Sequence, residues 1–248
     1  TLSQNCPKKF HLNTEPRHVP PSGLEDGDKY RVVFVTSGEF SFGQSTPIQS
    51  FNDFVTNAAL QSPSSVISAL SSEWTAIVST TSTHAKTNTA TDVSHDADLP
   101  VYNVAGQRIA HSYYELWSNS LGYPININES GGGHFAFHDV YTSTSTAGNY
   151  IKWSYSASFD TTTIRYGSTA MYNGEWVQGA KLFAGDIRSS TLSAQLYGLS
   201  APITFHDSAA VPEPGPLALG TSSLLALGLV CYRRRRARER KPTDPGRS

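Results

Sequence analysis

The chain has 248 residues, of which 38% are hydrophobic, 11% aromatic and 16% charged, with a formal net charge of −1. That length allows one large domain or two small ones, and the apolar fraction is enough to build a core. A near-neutral chain lacks the basic face that a binder of phosphate backbone needs, so charge argues against nucleic acid as a partner.

The sequence begins at Thr1, with no Met, basic n-region or apolar h-region. This fits either a removed signal peptide or a sequence truncated upstream. Residues 1–23 are polar and proline-rich and are expected to form a flexible leader. Two cysteines are present, Cys6 in that leader and Cys231 in an apolar tail, so packing rather than a disulfide must hold the fold.

Residues 24–205 contain no long linker or internal repeat and are expected to form one domain. Tyr30-Arg-Val-Val-Phe-Val-Thr36 is a β-branched and aromatic run, which predicts a strand. A helix follows: Thr46-Pro-Ile-Gln49 has the form of a capping box with Pro47 at the first helical position. Ile48, Phe51, Phe54, Val55, Ala58 and Ala59 then recur at helical spacing, as a core-facing stripe would. Trp74-Thr-Ala-Ile-Val78 reads as a strand. Leu99-Pro-Val-Tyr-Asn-Val104 and Gln107-Arg-Ile-Ala110 flank Ala105-Gly106 as a hairpin would. Ser112-Tyr-Tyr-Glu115 is a second capping box, opening a short helix with Tyr114, Leu116 and Trp117. Beyond Asn119 the pattern turns to short strands and polar loops, with strand signals at 134–141, 150–159 and 174–183. Two early helices followed by many short antiparallel strands predict an α+β domain. Its expected core includes Phe34, Phe51, Phe54, Trp74, Leu116 and Trp117.

Phe34-Val-Thr-Ser37, Trp74-Thr-Ala-Ile-Val78, Pro100-Val-Tyr-Asn-Val-Ala-Gly106, Glu115-Leu-Trp117 and Pro124-Ile-Asn-Ile-Asn-Glu129 together resemble an uncharacterised bacterial surface domain. That domain is found in spirochaete lipoproteins and exported proteins, and looks like the C-type-lectin/endostatin fold. The resemblance covers most of 30–205 and implies a C-type-lectin-like domain. The disulfides and the Glu-Pro-Asn and Trp-Asn-Asp calcium elements of ordinary C-type lectins are absent.

Three constellations offer chemistry. His134 and His138 stand at i and i+4, which would join them on one metal if the segment were helical. On the strand that Phe135, Phe137 and Val140 suggest, they lie roughly 13 Å apart, so no metal is expected there. Asp92, Asp96 and Asp98 form an oxygen-rich loop of the kind hard cations prefer, without EF-hand spacing. Asn126, Asn128 and Glu129 form a second such set, a ligand or calcium contact or else a loop whose side chains cap backbone groups. There is no Gly-x-Ser-x-Gly elbow, and Gly131-Gly-Gly-His lacks the Lys-Ser/Thr ending of a phosphate loop. No catalytic residue and no cofactor is expected.

From residue 209 the composition changes. Val211-Pro-Glu-Pro214 opens an uncharged apolar run over 217–232, followed by Arg233-Arg-Arg-Arg236-Ala-Arg-Glu-Arg-Lys241. As a helix, 217–232 would reach roughly 24 Å, short of the roughly 30 Å hydrocarbon core but extendable by snorkelling arginines. A transmembrane helix over 215–232 is therefore expected. Its basic flank, 233–248, would be cytoplasmic and residues 1–210 outside. Val211, Pro212, Glu213, Pro214, the apolar run and Arg233, Arg234, Arg235 and Arg236 together resemble the PEP-CTERM sorting signal of Gram-negative, biofilm-forming bacteria. That resemblance implies recognition by exosortase at the inner membrane, processing near the Pro-Glu-Pro element in the linker 206–214, and delivery to the outer surface or extracellular matrix. The expected function is a non-enzymatic interaction or structural role at the cell envelope. The alternatives are a calcium-dependent carbohydrate-binding module and a hydrolase acting on extracellular polymer, with extracellular polysaccharide as the natural partner.

Overall fold

The computed structural model describes residues 21–62, 65–71, 73–92, 98–133, 138–159, 161–184 and 190–206. All lie in the first of two units into which the chain divides, 1–206 and 207–248. In chain order the elements are β1 (Lys29–Val35), β2 (Phe40–Phe42), α1 (Ile48–Gln61), β3 (Trp74–Ala76), α2 (Ala85–Asn88), β4 (Val101–Asn103), β5 (Arg108–Ala110) and α3 (Tyr113–Leu116). There follow β6 (Asp139–Tyr141), β7 (Ser154–Ser156), β8 (Thr161–Ser168), α4 (Glu175–Gln178), β9 (Gly179–Ala184), β10 (Leu192–Ala194), β11 (Tyr197–Ser200) and β12 (Ile203–Thr204).

β1 forms where the apolar run predicted a strand, and it is buried from Tyr30 onward. Successive strand side chains point to opposite faces. Val32 and Phe34 accordingly enter one apolar cluster, while Val33 and Val35 enter another. Covering both faces of a strand is what a continuous apolar run allows. The main sheet has the order β3-β11-β1-β4-β5, with β12 pairing the start of β1. β1 runs antiparallel to β11 and parallel to β4. The expected antiparallel arrangement is thus corrected to a mixed sheet. A second sheet has the order β6-β8-β7, with β9 on the other side of β8, and β2 pairs β10 as a ribbon.

The stripe on α1 works as its spacing predicts. Phe51, Val55 and Ala59 are buried, and Ile48, Phe54 and Ala58 pack partly buried against the first cluster. The capping box is not formed: the helix starts at Ile48, with Pro47 at the N-cap and no side-chain cap. The Thr46 hydroxyl instead accepts from Gly43 N at 2.8 Å, and Gln49 Nε2 turns forward to Asp53 at 2.8 Å. The second box does cap its helix, Glu115 N donating to Ser112 Oγ at 3.3 Å.

β3 is a sheet edge, and a reciprocal amide pair covers it. Asn52 Oδ1 accepts from Ala76 N and from Asn88 Nδ2, both at 2.9 Å. Asn88 Nδ2 also donates to Ala76 O at 2.8 Å. The edge amide and carbonyl that would otherwise invite another strand are therefore occupied.

Arg31, 3% exposed, crosses the other face of β1. It donates from Nε to Ser200 O at 2.5 Å and from Nη1 to Thr89 O at 2.7 Å, with its guanidinium 5.5 Å from the Tyr113 ring centre. One side chain thus ties β1 to β11, α2 and α3.

Several expectations need correction. Segment 174–183, read as one strand, begins as the turn of helix α4 before β9. Asn173 Oδ1 accepts from Glu175 N and favours that turn. Trp117 lies partly buried at the rim of the second cluster rather than inside it, and α3 buries Tyr113 and Leu116 while Tyr114 is 87% exposed. Among the described residues there are four helices, α1 at 14 residues being the longest, and none is long and apolar enough to cross a membrane. The fold is a mixed α+β domain, and the C-type-lectin-like assignment with a C-terminal transmembrane helix is not supported. Segment 215–232 lies outside the described residues, and its sixteen-residue uncharged run is short for a roughly 30 Å core.

Three substitutions test this core. Gly198 sits opposite Phe34 in the β1–β11 register, and a Cβ there would stand 2.5 Å from both Phe34 Cε1 and Val55 Cγ1. Gly198→Ala should therefore destabilise the domain by about 1–3 kcal/mol through overpacking. Trp74, 2% exposed and edge-on to Phe34 at 5.2 Å, should cost about 3–5 kcal/mol on truncation to Ala. Trp117→Ala should cost about 1–3 kcal/mol, as befits a partly buried ring. Urea melts of the full chain measure all three, and a wild-type midpoint for Trp74→Ala would remove that ring from the core.

Candidate functional site

Loop 121–133 runs beside the end of β1. Ile125, fully buried, anchors it, and Val35 N donates to Ile127 O at 3.1 Å. The oxygen-rich set lies on this loop, and the fold uses most of it. Asn128 Oδ1 accepts from Ser130 N at 3.1 Å, Ser130 Oγ at 2.8 Å and Gly132 N at 2.8 Å. Its amide oxygen thereby closes the turn through Gly131. Glu129, 2% exposed, accepts from Ser37 N at 3.0 Å on one oxygen and from the Ser37 hydroxyl on the other. Its backbone oxygen takes Val66 N at 2.9 Å. Asn128 and Glu129 are thus structural acceptors, while Asn126 is partly exposed and makes no side-chain hydrogen bond among the described residues.

The acidic loop is likewise dispersed. Asp92 is exposed and accepts from Thr87 Oγ1 at 2.9 Å, Asp98 is exposed, and Asp96 lies outside the described residues. Among the described residues no group of three His, Cys, Asp or Glu side chains is arranged to hold a metal ion. His138 is exposed, with its backbone N on Thr169 Oγ1 at 3.1 Å. His134 lies outside the described residues, as do the sorting residues Val211, Pro212, Glu213, Pro214 and Arg233, Arg234, Arg235 and Arg236.

The structure brings together a different set. A cleft of about 320 Å³ opens between Asn119, Thr146, Asn173, Gly174, Glu175 and Gln178. Three chain segments meet there. An antiparallel bridge joins Ser120 to Asn173, and Leu121 N donates to Tyr172 O at 2.6 Å. Thr146 N donates to Gln178 Oε1 at 2.8 Å, which fastens the 143–150 turn to α4. Gly174 leaves the opening: a Cβ there would stand 2.8 Å from Asn119 Oδ1 and 3.0 Å from Thr146 Cγ2. Trp176, fully buried, lies on the inner side of α4 with its ring 6.0 Å from Trp117 and 5.9 Å from Tyr197.

Every side chain lining the cleft is polar, and one of them, Glu175, carries charge. The two bonds described above claim Gln178 Oε1 and Asn173 Oδ1, which leaves each residue's amide NH₂ directed elsewhere. Among the described residues the Asn119 amide, Thr146 hydroxyl and Glu175 carboxylate have no hydrogen-bond partner. The arrangement offers donors and acceptors in mixed order, as a hydroxyl-bearing ligand would need. Sequence reasoning missed this set because its members come from three separated polar segments, none with a motif. The one available signal was Asn173-Gly174, a turn pair inside a stretch read as strand.

Below the cleft, Trp176 Nε1 and Tyr197 OH are buried with no hydrogen-bond partner. Burial pushes the Tyr197 hydroxyl above its ordinary value, and likewise pushes Tyr141 up to about 12.

Two predictions follow from these environments. Glu129→Ala and Asn128→Ala should each lower stability by about 1–3 kcal/mol by orphaning backbone donors. Asn126→Ala should leave the urea midpoint within about 0.5 kcal/mol of wild type. Equal effects at all three positions would count against this division of roles. Tyr197→Phe removes an unpartnered buried hydroxyl, so at neutral pH it should be neutral or stabilising. The raised pKa values favour the neutral phenols in the fold. Their contribution is complete below the ordinary value of 10.0 and is lost as pH rises through the folded value, about 12 for Tyr141. Wild type should therefore weaken progressively above pH 10, and Tyr197→Phe less so. The chain matches no family model and no curated protein.

Proposed function

We propose that this chain is an exported cell-surface or extracellular-matrix protein of a Gram-negative bacterium, sorted by exosortase, whose folded domain acts by binding rather than by catalysis. The observation that carries the proposal is the order of elements at the end of the sequence: Val211-Pro-Glu-Pro214, an uncharged apolar run, then Arg233–Arg236. A core segment has no need of that succession, whereas a sorting enzyme that reads a short peptide beside a basic flank does. The domain's features support a binding role. It presents an open polar cleft in which internal bonds hold the amide oxygens of Gln178 and Asn173, over an aromatic floor. Its surface relies on hydroxyl and amide groups more than on charge, in keeping with a sequence of 16% charged residues.

Replacing Arg233–Arg236 with neutral residues should misdirect the protein and reduce the amount recovered from the outer surface. Fractionation indistinguishable from wild type would overturn the sorting reading. Mature protein taken from the surface should end near Pro214 by mass spectrometry, and an intact end at Ser248 would contradict exosortase processing.

A further inference from the structure

We infer that the cleft bounded by Asn119, Thr146, Asn173, Gly174, Glu175 and Gln178 binds a neutral, hydroxyl-rich ligand, a saccharide unit of an extracellular polymer, without help from a metal ion. This deepens the reading of the domain as a binding module and rests on it.

The inventory of groups selects the ligand. Three carboxamides, a hydroxyl and a single carboxylate face the opening. A carboxamide offers both donors and acceptors, a carboxylate at neutral pH only acceptors. A sugar hydroxyl donates once and accepts twice, so adjacent hydroxyls can be met by an amide NH₂ on one side and a carboxylate on the other. An anionic ligand would find no Lys, Arg or His in the lining and would meet the Glu175 charge instead. A calcium ion takes six to eight oxygens, usually several of them carboxylate, and one carboxylate among amides falls short of that.

The groups are also set in place before any ligand arrives. Gln178 Oε1 is held by Thr146 N at 2.8 Å and Asn173 Oδ1 by Glu175 N at 3.1 Å. Each bond fixes one end of an amide and thereby aims its NH₂, and side chains already ordered lose less entropy on binding. The volume of about 320 Å³ falls at the lower end of small-ligand sites, the scale of a sugar unit rather than of a peptide. The cleft exists because residue 174 has no side chain; its φ of −52° and ψ of −20° would accept alanine. A methyl group there would occupy the space the ligand needs.

The test applies the full chain to an array of neutral oligosaccharides built from glucose, galactose and mannose, with uronate-containing oligosaccharides alongside, each with and without EDTA. A retained neutral glycan is then titrated by calorimetry and by tryptophan fluorescence, since Trp176 lies between two lining residues. Neutral glycans should be retained equally with and without EDTA. Gly174→Ala, Asn173→Ala and Glu175→Gln should each weaken binding about tenfold, the scale of one lost hydrogen bond to a charged group or one lost fit. Leu182→Ala, an exposed change on β9, should leave binding unchanged. Urea midpoints of the variants near wild type confirm that the fold is intact. Retention of uronate glycans alone, loss of binding in EDTA, no retention of any neutral glycan, or full affinity in a folded Gly174→Ala variant would each overturn the assignment. The assay reads the purified chain, so failure of sorting in cells would leave its result untouched, and a silent array would leave surface delivery standing.

Discussion

The fold depends on β1 being buried on both faces. A strand with one wet face needs only one packing partner, but Val32 and Phe34 on one side and Val33 and Val35 on the other each require their own. The first face is closed by α1 and an aromatic group in which Phe42 stacks on Tyr141 at 3.9 Å. The second is closed by α3, α4 and Tyr197. Room for Phe34 comes from its strand neighbours: Gly198 on β11 lies opposite it, and Ala76 on β3 lies beyond Gly198. Two small residues in register thus let α1 approach the sheet closely enough for Val55 to reach Phe34. Polar pins then hold both ends of the strand, Arg31 near its start and the Ser37–Glu129 pair just past its end. A buried charge with its bonds broken is expensive, so these pins set register and loop position more than they add net stability.

The same packing carries through to the cleft. α4 is a single turn, too short to be stable by itself, yet it is held on two sides. A Cβ on Gly167 would stand 1.9 Å from Trp176 O, which places the turn's backbone directly against β8. On the other side Thr142 Oγ1 donates to Val177 O at 2.6 Å. With Trp176 and Val177 sealed inside, Glu175 and Gln178 have only the outward direction left. Rigid support of this kind is what lets a small polar opening hold its geometry.

What the sequence made legible is what local physics decides. β1, the α1 stripe, the Ala105-Gly106 hairpin and the Ser112 cap are each determined by residues within a few positions of one another, and each is observed. The errors arose where a competing partner intervened, whether near in the sequence or far. Thr46 was free to cap α1 and instead accepts from Gly43. Trp117 had apolar neighbours in sequence, but its Nε1 donates to Thr91 Oγ1 at 2.8 Å, and that bond holds it at the cluster's rim. The parallel pairing of β1 with β4 joins residues 31–33 to 101–103, a separation at which no pattern in either strand specifies direction. The tail remains argued from sequence alone, its residues lying outside those the structure describes.

The candidate site illustrates the same limit at the level of single atoms. Asn128 and Asn173 are the same residue type in similar polar turns, and both accept from backbone N–H groups nearby. Asn128 sits in a loop whose carboxylate, Glu129, turns inward to Ser37, so that pair is consumed by holding the loop down. Asn173 sits where Gly174 clears a space and where Asn119, Thr146 and Gln178 arrive from elsewhere in the chain. Composition can say that a segment is rich in amides. Which amides are spent on the fold and which are left for a ligand depends on what lies opposite each lone pair and each N–H. That is why the oxygen-rich loop most visible in the sequence is architecture, and why a cleft assembled from three separated segments showed locally as no more than the Asn173-Gly174 turn pair.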